Sequence, residues 1–216
     1  MMLQPMPMPM PMPMPTAETA APRVPGGSTI FEANLREHRR LFESMEALAV
    51  PVHAAAQAMT QCLRRGGRLL FLGNGGSAAD SQHLAAEFAG RLRRERAPLA
   101  ALALSADAVT LTALANDYGY EAVFARQLEA QARPGDCVVA ISTSGRSPNV
   151  LRALEAAQRL GLARIALLGR DGGAARALAE HAVVVPHEDS GRIQEAHIFI
   201  GHTWCGLVER ALGLVA

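Results

Sequence analysis

Residues 68–79 read Arg68-Leu69-Leu70-Phe71-Leu72-Gly73-Asn74-Gly75-Gly76-Ser77-Ala78-Ala79, and this stretch decides the fold. RLLFL is a short apolar run without polar alternation, the mark of a strand buried on both faces. The glycines form a loop, and the residues that follow, about Ser77 to Arg94, carry a helical pattern. A buried strand passing through a glycine loop into a helix is the opening of a βαβ unit.

The same alternation continues downstream. Strands are expected at Pro98–Leu104, Cys137–Ile141, Arg164–Leu168 and Ala182–Val185. Helices are expected at about Asp107–Ala115, Glu121–Ala132, Pro148–Leu160, Ala174–Glu180 and Arg192–Leu214. Upstream, apolar residues recur at helical spacing from Ile30 to about Arg65, with Pro51 as a break or restart and Gly66-Gly67 as the stop. The expected fold is therefore α/β, a three-layer doubly wound sheet of five parallel strands behind leading N-terminal helices. Ligands of such folds bind outside the carboxyl ends of the strands. The loops after Leu72 and after Ile141 are thus the first candidates.

The remaining composition narrows the class. Residues 4–15 read QPMPMPMPMPMP, a Met-Pro alternation that removes backbone donors and blocks a helix. Residues 1–28 read as a disordered extension ending in Pro25-Gly26-Gly27-Ser28, and 29–216 as one domain. The extension lacks the pattern of a secretory signal. Half of the 216 residues are apolar, yet no run approaches a membrane span. With 21 basic and 20 acidic residues the net charge is +1, which gives no electrostatic case for nucleic acid or an anionic membrane. Cys62, Cys137 and Cys205 are sparse and odd in number, as expected of packing residues in a reducing compartment, the cytoplasm.

Both candidate loops suit a phosphorylated ligand. In Gly73–Ala79 the glycines let the backbone approach an anion at a helix start. The spacing matches neither GxGxxG nor GxxxxGK[ST], which disfavours a dinucleotide or nucleoside triphosphate. A plain strand–helix turn with Ser77 as N-cap is the simpler alternative. The second loop, Ser142-Thr143-Ser144-Gly145-Arg146-Ser147-Pro148-Asn149, carries four hydroxyls within six residues. Capping a helix explains one hydroxyl and leaves the others to donate to phosphate oxygens.

Acid/base candidates lie on two helices. His83 and Glu87 are four apart and share a face. Gln194 and His202 are eight apart, ~12 Å of rise with ~80° of residual rotation on a regular helix. To serve one centre they require an irregular helix start or ligands from different subunits. His197 reads as a packing or local capping residue. The acidic loop 186–191 has no reading from sequence.

Four blocks taken in order, GNGGSAADSQHLAAEFAGR (73–91), LALSADAVTLTALANDYGYE (102–121), AISTSGRSPN (140–149) and RIQEAHIFIGH (192–202), resemble the phosphoheptose (sedoheptulose 7-phosphate) isomerases of the sugar isomerase (SIS) domain family. The resemblance covers the chain from about Ile30 onward. It implies a homotetramer with active sites at subunit contacts. It also implies conversion of D-sedoheptulose 7-phosphate to D-glycero-D-manno-heptose 7-phosphate, the first step toward the heptose of bacterial surface polysaccharide. By the resemblance, Glu87 matches the catalytic base and His202 the acid. His83, Glu87, Gln194 and His202 match ligands of one zinc per subunit. Asn74, Gly75, Gly76, Ser77, Glu87, Asn116, Asp117, Ser142, Thr143, Ser144, Ser147 and Gln194 match substrate-binding positions, and Arg91 an arginine near the substrate. Glu87 cannot readily be both a tightly held ligand and a free base, so these two roles compete.

Two rivals remain at this stage. One is a non-enzymatic SIS tetramer that binds a replication-initiator protein. By resemblance that relative keeps the RIQE block and lacks the carboxylate and histidine matching Glu87 and His202, both present here. The other is an isomerase for a different phosphosugar, which the sheet-edge loops alone do not exclude. A SIS transcription regulator is disfavoured, because the roughly 40 residues expected to be structured before the first strand are too few for a DNA-binding domain plus the usual leading helices, and no basic patch is visible.

Overall fold

The computed structural model describes residues 29–215. The expected extension over 1–28 lies outside the described residues.

The chain opens with α1 (Ile30–Ser44), whose N-terminus is closed by a capping box between Thr29 and Glu32. A 3-10 turn over Met45–Leu48 leads into α2 (Ala49–Arg64). The break thus precedes Pro51, which sits in the first turn of α2, where its missing N–H costs nothing. Gly66, at φ +77, provides the left-handed stop.

The expected alternation follows: β1 (Leu69–Gly73), α3 (Gly76–Ala89), β2 (Ala101–Ala103), α4 (Ala108–Tyr118), α5 (Val123–Gln131), β3 (Cys137–Ser142), α6 (Pro148–Arg159), β4 (Ala163–Gly169), α7 (Ala175–Leu178), β5 (His181–Val185) and α8 (Ser190–Ala211). All strands pair in parallel, in the order β2-β1-β3-β4-β5. β1, β3 and β4 lie inside the sheet, and their apolar runs are buried accordingly. Alternate side chains feed two cores. Leu69, Phe71, Val139, Ile141 and Leu167 join α2, α3 and α8 on one face. Leu70, Leu72, Val138, Ala140 and Leu168 join α5 and α6 on the other.

Three elements depart most from expectation. α3 stops at Ala89, so the arginine-rich residues 91–96 form a loop, and the edge strand β2 shrinks to three residues. α7 shortens to one turn. The acidic loop before α8 gains an explanation, since Asp189 is the N-cap and accepts from Arg192 N at 3.0 Å. That bond holds its carboxyl below the usual range. The three cysteines are buried and free, and burial raises their thiols, Cys62 to about 11 and Cys205 to about 12. No helix among the described residues is long and apolar enough to cross a membrane.

Candidate active site

Neighbouring strands β1 and β3 send their following helices to opposite faces, so the chain diverges at their carboxyl ends. The glycine loop and the serine loop face each other across this point. Gly75 is the N-cap of α3 at φ +55, a conformation that L side chains rarely adopt. Ser77 is therefore not the N-cap; it lies inside the first turn, buried. Asn74 and Asn149 bridge the two loops. Asn74 Nδ2 donates to Asn149 Oδ1, and Asn149 Nδ2 donates to Asn74 Oδ1, each at 2.8 Å.

In the serine loop Ser142 Oγ accepts from Gly145 N at 3.1 Å and Ser144 Oγ accepts from Arg146 N at 3.2 Å. Both hydroxyl protons are left to donate elsewhere. Ser147 is the N-cap of α6, with Pro148 at the helix start, yet its hydroxyl makes no capping bond. Thr143 is half-buried between them. Gly145, at φ +61, lies so close to Gly172 that a Cβ would overlap its carbonyl. Arg146 turns away to Asp171, 2.6 Å from it.

The second cluster lies between α3 and α8. His83 Nε2 stands 2.8 Å from His202 Nε2 and 3.6 Å from Glu87 Oε1. One ligand atom from each of the three residues falls within 4.8 Å of the others. Glu87 Oε2 is buried with no hydrogen-bond partner. Gly76, Asp80, His83 and Glu87 follow one another on a single face of α3. Sequence reasoning passed over Asp80, whose buried Oδ2 also has no partner. Burial pushes its carboxyl up to about 6, against the pull of His83.

Gln194 lies elsewhere on the same seam. Its carboxamide covers Gly76, where a Cβ would overlap it. α8 runs from Ser190 to Ala211 as one helix, so the irregular start needed to bring Gln194 and His202 of one chain together is absent. Asn116 donates to Asp117 at 2.9 Å near the end of α4, and Tyr120 ties this segment to the glycine loop by donating to Asn74 Oδ1 at 3.0 Å. Arg91 faces solvent, 3.3 Å from Glu95, and is not brought into the His–Glu cluster. His197 is a packing residue as expected: it is buried, with Nε2 donating to Leu168 O at 3.0 Å.

A family model describing the SIS domain matches residues 34–169. A phosphoheptose isomerase of Pelobacter propionicus is 52% identical over 179 residues, 82% of this chain and 95% of the relative. One from Trichlorobacter lovleyi is 49% identical over 179 residues, 82% and 91% of the two chains. The chain belongs to the phosphoheptose isomerases of the SIS domain family. Solved structures agree. The phosphoheptose isomerase of Neisseria gonorrhoeae superposes with a TM-score of 0.78 at 44% identity, covering 82% of this chain and 96% of that one. The Francisella tularensis phosphoheptose isomerase gives 0.80 at 35% identity, over 83% and 96%. This SIS-domain protein is a sugar-phosphate isomerase acting on a heptose phosphate. Of the rivals, the partner-binding SIS tetramer loses its ground.

Proposed function

We propose that this isomerase converts D-sedoheptulose 7-phosphate to D-glycero-D-manno-heptose 7-phosphate as a cytoplasmic homotetramer, supplying heptose for surface polysaccharide. The observation that carries the reading is the meeting of Glu87 with His83 and His202 between α3 and α8.

Moving the carbonyl from C2 to C1 requires a proton to pass between those carbons through an enediol. A carboxylate and an imidazole are the usual instruments. Glu87 takes the proton, and its unpartnered Oε2 is an unused acceptor for it. His202 hydrogen-bonds and protonates the carbonyl oxygen. The Ser142, Thr143, Ser144 and Ser147 hydroxyls bind the phosphate. The loop backbone at Asn74, Gly75, Gly76 and Ser77, with Asn116, Asp117 and Gln194, orients the sugar.

Two imidazole nitrogens facing each other beside an unpartnered carboxylate oxygen form a donor set that suits zinc. His83, Glu87 and His202 would hold it, and a Glu87 oxygen or His202 nitrogen bound to the metal would not at that moment be free to exchange a proton. A fourth ligand of Gln194 type would come from a neighbouring protomer, because one regular helix sets Gln194 ~12 Å from His202. Bound there, zinc supplies Lewis-acid polarisation of a carbonyl oxygen. Exposed Phe31, Leu35 and Phe199 suit contacts between protomers.

The test is incubation with sedoheptulose 7-phosphate in deuterium oxide, followed by NMR with and without a zinc chelator. Aldose carrying deuterium beside the carbonyl supports the enediol route, and chelator sensitivity supports zinc. Absence of both conversion and exchange in a folded protein overturns the substrate assignment.

A further inference from the structure

The paired carboxamides of Asn74 and Asn149 do more than fill space. Two carboxamide hydrogen bonds made in opposite directions form a closed ring, which fixes both the distance and the tilt between the loops that carry them. Those loops follow β1 and β3, where the chain diverges and the sheet ladder has ended. Asn149 is 2% exposed at the start of α6, so its carboxamide is committed to this bond. Tyr120 adds a third bond to the same ring, and with it both lone pairs of Asn74 Oδ1 are used. Only one N–H of the Asn74 side chain remains.

Tyr120 itself is 55% exposed, so its hydroxyl bond is not a satisfied core group. It follows Gly119, whose φ of +82 turns the chain at the end of α4 just after Asn116 and Asp117. The hydroxyl therefore docks that segment onto the glycine loop.

We infer that Tyr120, Asn74 and Asn149 form a positioning clamp, which sets the spacing of the two sugar-phosphate loops and docks the Asn116–Asp117 segment against them. Asn74 thereby serves the substrate through the shape of its loop, its carboxamide being spent on the clamp. This rests on the reading of the two loops as a phosphosugar cradle. Tyr120 and Asn149 are positioning residues. A loosened cradle weakens ground state and transition state alike, so the effect falls on KM and spares kcat.

The experiment compares wild type, Tyr120→Phe, Asn149→Ala and the double variant. Steady-state kinetics with sedoheptulose 7-phosphate, the Kd for inorganic phosphate by calorimetry, and Tm are measured on each. Tyr120→Phe is expected to raise KM roughly threefold to tenfold, the size of one hydrogen bond, with kcat within about twofold and Tm unmoved. In the Asn149→Ala background the same change is expected to cost less, because the two residues act as a unit. An unchanged KM, an effect confined to kcat, or strict additivity overturns the clamp. Should Asn149→Ala fail to fold, half-exposed Tyr120→Phe decides alone. Should wild type not turn over the sugar, the phosphoheptose reading fails separately. Phosphate affinity then decides the clamp, sustaining it if weakened in Tyr120→Phe and overturning it if unchanged.

Discussion

Arg96 and Glu209 form an ion pair at 2.8 Å with side chains only 1% and 4% exposed. The same guanidinium donates to the carbonyls of Glu87 and Phe88, at 2.8 and 2.7 Å. These carbonyls lie in the last turn of α3, where the helix offers no partners of its own. One buried cation thus closes the helix bearing Glu87 and fastens it to α8, which bears His202.

Removing one partner of such a pair strands a buried charge, at a cost of about 3–5 kcal/mol. Glu209→Ala should therefore lower the urea midpoint strongly, and pairing it with Arg96→Met should recover much of the loss. A single variant within about 1 kcal/mol of wild type would show that the pair does not hold the two helices.

Glu87→Gln is nearly isosteric and should keep the fold. Loss of a general base typically costs ~10²–10⁴-fold in turnover. Turnover within tenfold of wild type, with an unaltered circular dichroism spectrum, would remove Glu87 from the role of base.

Ser144 and Ser147 keep hydroxyl protons that no cap consumes. The double change Ser144→Ala, Ser147→Ala should raise KM for the phosphorylated sugar tenfold or more, since hydrogen bonds to a charged group contribute about 1.5–3 kcal/mol each. An unchanged KM would place the phosphate elsewhere.

Burial holds the His197 imidazole down to about 4, from an ordinary 6.5. Between those values the unfolded chain binds a proton that the folded chain does not. Stability supplied by the neutral ring is present above pH 6.5 and is lost as pH falls toward 4, by up to about 3 kcal/mol. Asp80, raised to about 6, acts in the opposite direction, gaining stability as pH falls. A comparison with His197→Gln cancels the Asp80 contribution. Urea unfolding at pH 7, 5.5 and 4.5 should show wild type losing more stability than the variant; parallel losses would contradict the assignment.

Much of the architecture was written locally. RLLFL and CVVAI are apolar without alternation because both faces of their strands are covered, and that local pattern reports a buried parallel sheet. The glycine and serine loops were legible because positive φ and clustered hydroxyls are properties of the residues themselves. The expected helix runs on to Arg94 because the polar, helix-favouring residues 91–94 give no hint that Arg96 folds back to close α3. Asn149 stood in plain view beside Ser147, but no local signal attached Tyr120 to the glycine loop.

Sequence by itself determined the strand–loop–helix alternation, the two sheet-edge loops, the shared face of His83 and Glu87, and the family. Only the tertiary structure decided that His202 meets His83, that Gln194 covers Gly76 instead, and that Arg96 finds Glu209. The reason is physical. Periodicity and backbone preference act over a few neighbouring residues, whereas these partners lie more than 100 positions apart and are brought together by packing of α8 against α3.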